Sequence, residues 1–223
     1  MMPDSYSVVI PAFNAEQTLA SAIESVLGQT VPPAAVLLID DGSCDRTTEI
    51  AQAYAPQVTV IRQVNSGPGA ATTRGFRAVT TPILAFNDAD DIWLVDKAAR
   101  QLEWLSQFTD VDAVFGRVRL FRHDDDQRAK GPIRDNWGRT TLMMRRAAAL
   151  RIGPIFDPPH NCGDMIDWIA RARDLNLRLE LMPEVLALRR IIPGSLSYAR
   201  SACGEGYLHV VKAALERKRM KAT

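Results

Sequence analysis

The chain contains 223 residues, of which 47% are hydrophobic, and its formal net charge is +1. This length and apolar content suit one globular domain that buries a substantial core. A net charge this close to zero offers no general attraction to a polyanion, so we expect no nucleic-acid partner.

The first hundred residues alternate apolar runs with amphipathic helical patterns. Predicted strands cover residues 6–10, 36–39, 58–61 and 83–86. Each is followed by apolar residues at helical spacing. Such alternation is typical of an α/β fold with a mostly parallel central sheet flanked by helices.

After about residue 108 the rhythm becomes less regular. We expect strands within 111–121, 140–144, 179–181 and 185–188, an exposed polar loop at 123–130, and a helix from about residue 165 to 175. No linker is long enough to separate two domains. We therefore assign residues 1–202 to the main domain and 203–223 to a C-terminal basic amphipathic helix of the same domain.

The C-terminal helix carries five basic side chains, at positions 212, 217, 218, 219 and 221, against acidic ones at 205 and 216. A basic amphipathic helix can lie on an anionic membrane surface, which would give the protein a peripheral membrane contact. The alternative is a helix docked on its own domain with a charged outer face. The sequence leaves both open.

The three cysteines lie far apart, at positions 44, 162 and 203. An odd, widely spaced set gives neither a disulfide framework nor zinc-ligand spacing, and it favours a reducing compartment. The N-terminus has no signal-peptide pattern, and no apolar run has the length of a membrane span. We expect a cytoplasmic protein.

An acidic cluster follows the fourth predicted strand directly. Asp88, Asp90 and Asp91 come within four residues of one another. In an extended chain Asp88 and Asp90 point to the same side, where their hard oxygen ligands suit Mg²⁺ or Mn²⁺. A solvated acidic turn is the alternative for an isolated Asp-x-Asp pattern.

Polar clusters also follow the first two strands, at 11–14 and 40–41. Ligands of parallel α/β sheets bind outside the carboxyl ends of the strands. Since all three clusters follow strands, we expect them to converge on one edge of the sheet and to form a site there.

Five segments together resemble the glycosyltransferases of family 2, which have the GT-A fold. They are residues 8–14, 36–43, 65–74, 86–93 and 163–171, in the order that the family shows. The resemblance covers about residues 7–190. It implies transfer of a sugar from a nucleotide-diphosphate donor, with UDP as the favoured nucleotide, to a glycan, lipid-linked or other hydroxyl acceptor in cell-surface polysaccharide or glycan biosynthesis.

The resemblance also implies roles for single residues. The nucleotide would be bound by five of them: Pro11, Phe13, Asp41, Arg74 and Asp88. Asp90, with Asp88, would hold a divalent cation, Mn²⁺ or Mg²⁺, against the diphosphate. Asp164 would be the general base, and a single base implies inversion at the anomeric carbon. From the residues alone, Phe13 also reads as a core aromatic, Asp41 as a turn cap, Arg74 as a surface residue and Asp164 as a helix cap.

One departure concerns the end of the matched region. Many family members carry a histidine shortly after an Arg-Arg pair, where it helps to hold the metal or the diphosphate. Here Arg189 and Arg190 are followed by Ile192 at that place, which cannot bind metal. We expect Arg189 or Arg190 to contact phosphate instead. Because of this departure, the alternative that the protein is a non-catalytic module that binds nucleotide sugars stays open.

A nucleotidyltransferase on a related sheet is the rival enzyme class. Such an enzyme would carry a glycine-rich, basic loop after the first strand. Residues 11–14 contain neither glycine nor a basic residue. A dinucleotide-binding oxidoreductase is disfavoured on similar grounds, since Gly67 and Gly69 follow the third strand and lack the required fingerprint.

Overall fold

The computed structural model describes residues 5–122, 130–192 and 203–221. Its strands are Tyr6–Ala12 (β1), Ala35–Asp40 (β2), Val58–Arg62 (β3), Ile83–Phe86 (β4), Ile92–Trp93 (β5), Ala113–Arg122 (β6), Ile133–Asn136 (β7), Met143–Arg145 (β8) and Leu179–Ile191 (β9). Its helices are Leu19–Leu27 (α1), Thr47–Gln52 (α2), Pro68–Ala78 (α3), Lys97–Gln107 (α4), Arg146–Ile152 (α5), Asp164–Asp174 (α6) and Cys203–Lys221 (α7). Two 3-10 turns cover Arg139–Thr141 and Pro159–Asn161.

The strands described form one sheet in the order β3-β2-β1-β4-β8-β6-β9-β5, with β7 paired to the outer part of β6. The first four strands in this order are parallel, as the alternating pattern predicts. Beyond β4 the sheet becomes mixed, because β8 runs antiparallel to both β4 and β6. The α/β class is confirmed.

Helices cover both faces of the parallel half, which explains why its strands are continuously apolar. Val8 and Ile10 of β1 pack with α1 and α4 on one face, while Val9 packs with α3 and α6 on the other. Alternate residues of a strand point to opposite faces, so a strand covered on both sides has no polar face.

The second half of the chain differs from the predicted elements in two places. The strands expected at 179–181 and 185–188 are parts of the single strand β9, which pairs in parallel with β6 through two register shifts. The strand expected at 140–144 divides into a 3-10 turn and β8. Of the polar loop predicted at 123–130, residues 123–129 lie outside the described residues.

Helix α7 docks on the domain. Arg217 of α7 pairs with Asp167 of α6 at 2.8 Å, and Gly206 and Val210 are the buried positions near its start. In the described part of the chain, no helix combines the length and the apolar character that crossing a bilayer requires.

The structure overturns the prediction for one cysteine. Cys162 takes part in a disulfide, whereas Cys44 is free and exposed. Spacing along the sequence did not predict this bond, because a disulfide requires proximity that only the fold creates.

Candidate active site

The loops that follow β1, β2 and β4 meet at one edge of the sheet, which confirms the expected convergence. The amide of Asn14 donates to Ser43 Oγ at 3.0 Å, and Asn14 Oδ1 accepts from the amide of Cys44 at 3.0 Å. Thr18 Oγ1 donates to the carbonyl of Ala89 at 2.9 Å. The three loops therefore form one connected structure and not three unrelated turns.

Two of the three carboxylates in the acidic cluster are tied to the 3-10 turn Arg139–Thr141. Asp88 accepts from Arg139 Nε at 2.9 Å and from Thr140 Oγ1 at 3.2 Å. Asp91 accepts from Thr140 Oγ1 and from the amide of Arg190 at 2.8 Å. Because Asp91 is 2% exposed and both its oxygens are occupied, it fastens this segment to β9 and is no candidate ligand.

Among the described residues, Asp90 has the fewest hydrogen-bond partners of the three carboxylates in the cluster. In the described part of the chain, Asp88 and Asp91 accept hydrogen bonds from the turn Arg139–Thr141, whereas the Asp90 carboxylate accepts none from it. Burial, and then the neighbouring charge of Asp88, raise the pKa of Asp90 to about 6. A cation between Asp88 and Asp90 would relieve this repulsion.

The donor set therefore fits a divalent cation in part. The described residues contain no group of three or more His, Cys, Asp or Glu side chains arranged to hold a metal ion. Two carboxylates completed by substrate phosphates and water are nevertheless the usual way in which proteins hold Mg²⁺. Asp90 and Asp88 are the residues that would hold the ion.

Arg139 joins the acidic cluster to Asp164. Its Nη1 donates to Asp164 Oδ2, while its Nε donates to Asp88. The Arg139 side chain is only 13% exposed. Burial opposes its charge, but Asp164 and Asp88 outweigh burial and raise the pKa of Arg139 above its ordinary value. Arg139 also outweighs burial at Asp88 and lowers the pKa of that carboxyl.

Asp164 lies at the start of α6, and its carboxylate faces the acidic cluster. Gly163, in the left-handed region at φ 97°, is the N-cap residue, and Asp164 is the first residue of the helix itself. The carboxylate is instead directed at Arg139, which excludes the helix-cap alternative as its main role.

Asp41 and Arg74 share a partner that the sequence did not predict. Gln63 Nε2 donates to Asp41 at 2.7 Å, and Gln63 Oε1 lies 3.5 Å from Arg74 Nη1. Asp41 also accepts from the amides of Ser66 and Gly67, both at 2.9 Å. Asp41 thus holds the loop before α3 in place, while Arg74 is exposed and donates to the end of β3.

Phe13 and Pro11 occupy contrasting positions at the end of β1. Phe13 is 50% exposed, so it is not a core aromatic. A flat apolar ring presented to solvent at the edge of the site suits stacking on a base. Pro11 is buried within β1 and lies in register with Ile39 of β2.

The two arginines at the end of β9 have different surroundings. Arg190 is 7% exposed; it donates to the carbonyl of Asp90 at 2.9 Å and lies 4.7 Å from the centre of the Phe121 ring. Arg189 is half-buried, and its charge acts on both Asp88 and Asp90. Arg190 therefore has a structural role, since it holds the acidic segment against β9. Arg189 is the better candidate for a phosphate contact. Ile192 directly follows β9.

Sequence reasoning missed Arg139, Thr140 and Asp157. Asp157 accepts from the amides of Gly69 and Ala70 at 2.7 and 2.8 Å, and so it covers the N-terminus of α3. None of the three follows a strand of the parallel half, and no local pattern marks them. Their partners are 25 to 88 residues away in the chain, so only the fold reveals them.

The family comparison covers most of the chain that contains this site. A model of the family described as glycosyl transferase family 2 matches residues 7–163, well over half of the chain. The chain belongs to glycosyl transferase family 2. The matched region includes the acidic cluster and Arg139, and it ends immediately before Asp164.

Curated relatives in this family match shorter stretches of the chain. An uncharacterized glycosyltransferase of Nostoc sp. is 37% identical over 123 residues, covering 53% of this chain and 38% of the relative. The succinoglycan biosynthesis protein ExoW of Rhizobium meliloti is 35% identical over 119 residues, covering 50% and 37%. The chain thus spans less than two fifths of the length of these two relatives.

Two solved structures share the fold. S. aureus TarS in complex with UDP-GlcNAc has a TM-score of 0.72 and 19% identity, over 87% of this chain and 61% of that chain. The mannosyltransferase PcManGT from Pyrobaculum calidifontis, in complex with GDP-Man and Mn²⁺, has a TM-score of 0.72 and 16% identity, over 97% and 65%. At such identities the similarity establishes the GT-A fold alone.

Proposed function

We propose that this family 2 protein transfers a sugar, with inversion, from a nucleotide-diphosphate donor to an acceptor hydroxyl. The observation that carries the proposal is the bridge made by Arg139 between Asp88, in the donor-binding segment, and Asp164, the proposed base. Because Asp88 and Asp164 contact the same guanidinium, this bridge supports a diphosphate site next to a general base, as direct displacement needs.

In this mechanism the Asp164 carboxylate takes the proton of the acceptor hydroxyl, and the oxygen of that hydroxyl attacks the anomeric carbon of the donor sugar. The bond from that carbon to the phosphate oxygen breaks, and the nucleoside diphosphate leaves. A single base with direct displacement inverts the configuration. Arg139 orients the Asp164 carboxylate through a charge-assisted hydrogen bond.

Asp90 and Asp88 would hold Mn²⁺ or Mg²⁺ in this proposal. The ion supplies a Lewis acid that stabilises charge on the departing diphosphate. Arg189 adds a positive charge on the same side. Phe13 would stack on the base, Arg74 would contact the nucleotide or its phosphates, and Asp41 with Pro11 would shape the base pocket.

UDP is the nucleotide to test first, because TarS is complexed with UDP-GlcNAc, although the GDP-Man complex of PcManGT keeps guanine open. Polysaccharide biosynthesis is the proposed setting, by analogy with ExoW. The acceptor class, whether glycan, lipid-linked or another hydroxyl compound, is not selected by these contacts.

Thermal unfolding with UDP, GDP, CDP and dTDP, each with and without Mn²⁺, tests the donor site. A ligand at about 100 times its dissociation constant adds about 2.7 kcal/mol to the free energy of unfolding. We expect an Mn²⁺-dependent shift with one nucleotide, and its loss in Asp90→Asn. Sugars of that nucleotide are then screened for turnover.

A non-catalytic module is the second candidate, and Ile192 is the observation that favours it. Such a protein would show the nucleotide shift but no turnover of any donor sugar, with or without acceptors. Absence of any nucleotide shift in folded protein would contradict both candidates.

Peripheral membrane contact through α7 stays a prediction. Leu208, Val211 and Leu215 are each more than half exposed, and Lys212 is exposed on the same helix. This combination suits an anionic lipid surface. Flotation with anionic liposomes at low salt tests it, and protein that remains in the dense fraction would end the idea.

A further inference from the structure

The segment that leads into Asp164 has a backbone that is costly for most residues. His160 and Asn161 have positive φ angles of 60° and 54°, and Gly163 has a φ of 97°. Non-glycine residues rarely adopt this left-handed region, and they keep it only where surrounding structure holds them. Contacts with the rest of the fold should therefore help to hold the turn at 159–163 in this conformation.

Helix α7 supplies close contacts to this turn. A Cβ placed on Gly206 would lie 2.5 Å from the carbonyl oxygen of Cys162 and 2.8 Å from that of Pro159. A Cβ placed on Gly163 would lie 3.2 Å from Val210 and 3.3 Å from Tyr207. The helix thus presses its glycine and two side chains against the backbone on either side of the turn.

A second attachment lies one turn further along α6. Asp167, 8% exposed, accepts from Arg217 of α7 at 2.8 Å and from Arg171 at 2.9 Å. Arg217 also lies 3.5 Å from Asp174. The first attachment holds the turn before Asp164 and the second holds the helix after it.

We propose that α7 is a clamp that positions Asp164. It fixes the strained turn at 159–163 and the first turn of α6, and it thereby aims the carboxylate at Arg139 and the reaction centre. This inference rests on the proposed role of Asp164 as the base. It gives α7 a positioning function, exerted through Asp164.

Two glycines of α7 offer a matched pair of variants in the full chain. Gly206→Ala introduces a methyl group where there is no room, whereas a Cβ on Gly204 meets nothing within 4 Å. Both replace a helical glycine by alanine, so helix propensity changes in the same direction. A difference between them reports the contact with the turn.

We expect Gly206→Ala to lower kcat for donor turnover at least tenfold, with the dissociation constant of the nucleotide and Mn²⁺ unchanged. Gly204→Ala should match the wild type in both quantities. Equal kcat in the two variants would overturn the proposal. Loss of nucleotide affinity in Gly206→Ala would also overturn it, because the effect would then not be confined to the base.

Arg217 provides an independent variant should Gly206→Ala fail to fold. Arg217→Met should lower kcat without changing nucleotide affinity, and Arg217→Lys, which keeps the charge beside Asp167, should recover part of the loss. A purely structural role would give no such division between kcat and affinity. Unchanged kcat in Arg217→Met would argue against the clamp.

Hydrogen exchange separates failure of the clamp from failure of the proposed function. Amides of residues 159–167 should exchange faster in Gly206→Ala than in Gly204→Ala, whether or not the protein is active. If the wild type turns over no donor, the proposed function fails and this measurement alone decides the clamp. Equal exchange in both variants would reject the clamp even in an active enzyme.

Discussion

The two halves of the candidate site are held in place by different means. The donor half consists of the loops after β1, β2 and β4, which neighbouring parallel strands bring to one edge of the sheet and which hydrogen bonds between the loops join there. The base half consists of residues 157–167, which side chains from distant parts of the chain hold in place. We therefore expect a substitution in the donor half to change mainly nucleotide binding. A substitution in a segment that supports the base half should change turnover although it lies far from the reacting atoms.

The largest effect is expected from Asp164→Asn. It keeps the shape of the side chain but removes the proposed base, so turnover should fall about 10²- to 10⁴-fold. The nucleotide dissociation constant should stay within a factor of about two, since the donor half is untouched. Kinetics and calorimetry measure the two quantities. Asp110→Asn, an exposed carboxylate elsewhere, is the control, and turnover retained in Asp164→Asn would assign the base to another residue.

Arg139→Met tests the link between the two halves. It leaves the carboxylates of Asp88 and Asp164 without their shared partner, and removal of one member of a buried ion pair typically costs about 3–5 kcal/mol. Because the Asp88 side chain is 31% exposed, the lower end of this range is expected in the free energy of unfolding. Urea denaturation measures it, and Arg139→Lys should restore part. A stability equal to wild type would show that the halves are independent.

Phe13→Ala should affect the donor half alone. Loss of a ring that stacks on a base typically costs about 1–3 kcal/mol, so nucleotide affinity should fall between about 5-fold and about 160-fold. Since the ring is half exposed, the free energy of unfolding should hardly change. Titration calorimetry and urea denaturation separate the two. A large loss of stability with unchanged affinity would return Phe13 to the core.

Asp157→Ala should have the smallest effect. Asp157 belongs to the base half, but its hydrogen-bond partners lie at the start of α3. It exposes the amides of Gly69 and Ala70 at the start of α3, and loss of a helix cap typically costs about 0.5–2 kcal/mol. Asp135→Ala is the control, because Asp135 pairs with Arg117 on the surface, where ion pairs contribute little. Equal losses in both variants would mean that Asp157 does not stabilise α3.

The parallel half of the fold followed from pattern alone. Four apolar runs with intervening helical spacing predicted β1 to β4, and their shared direction predicted that Phe13, Asp41 and Asp88 would meet. The mixed half was less accessible. The sequence pattern predicted two short strands on either side of Pro183. The structure has the single strand β9 there, and its register shifts appear only in its pairing with β6.

The sequence by itself determined the fold class and the family, and it predicted which loops meet at the edge of the sheet, because each follows from local periodicity and from residues placed directly after strands. Only the tertiary structure decided that Arg139 bridges Asp88 and Asp164, that Arg190 is buried in the scaffold, and that α7 rests on the turn before Asp164. These depend on contacts between side chains distant in the sequence. Local preferences carry no information about such contacts, because the rest of the fold determines which distant residues meet.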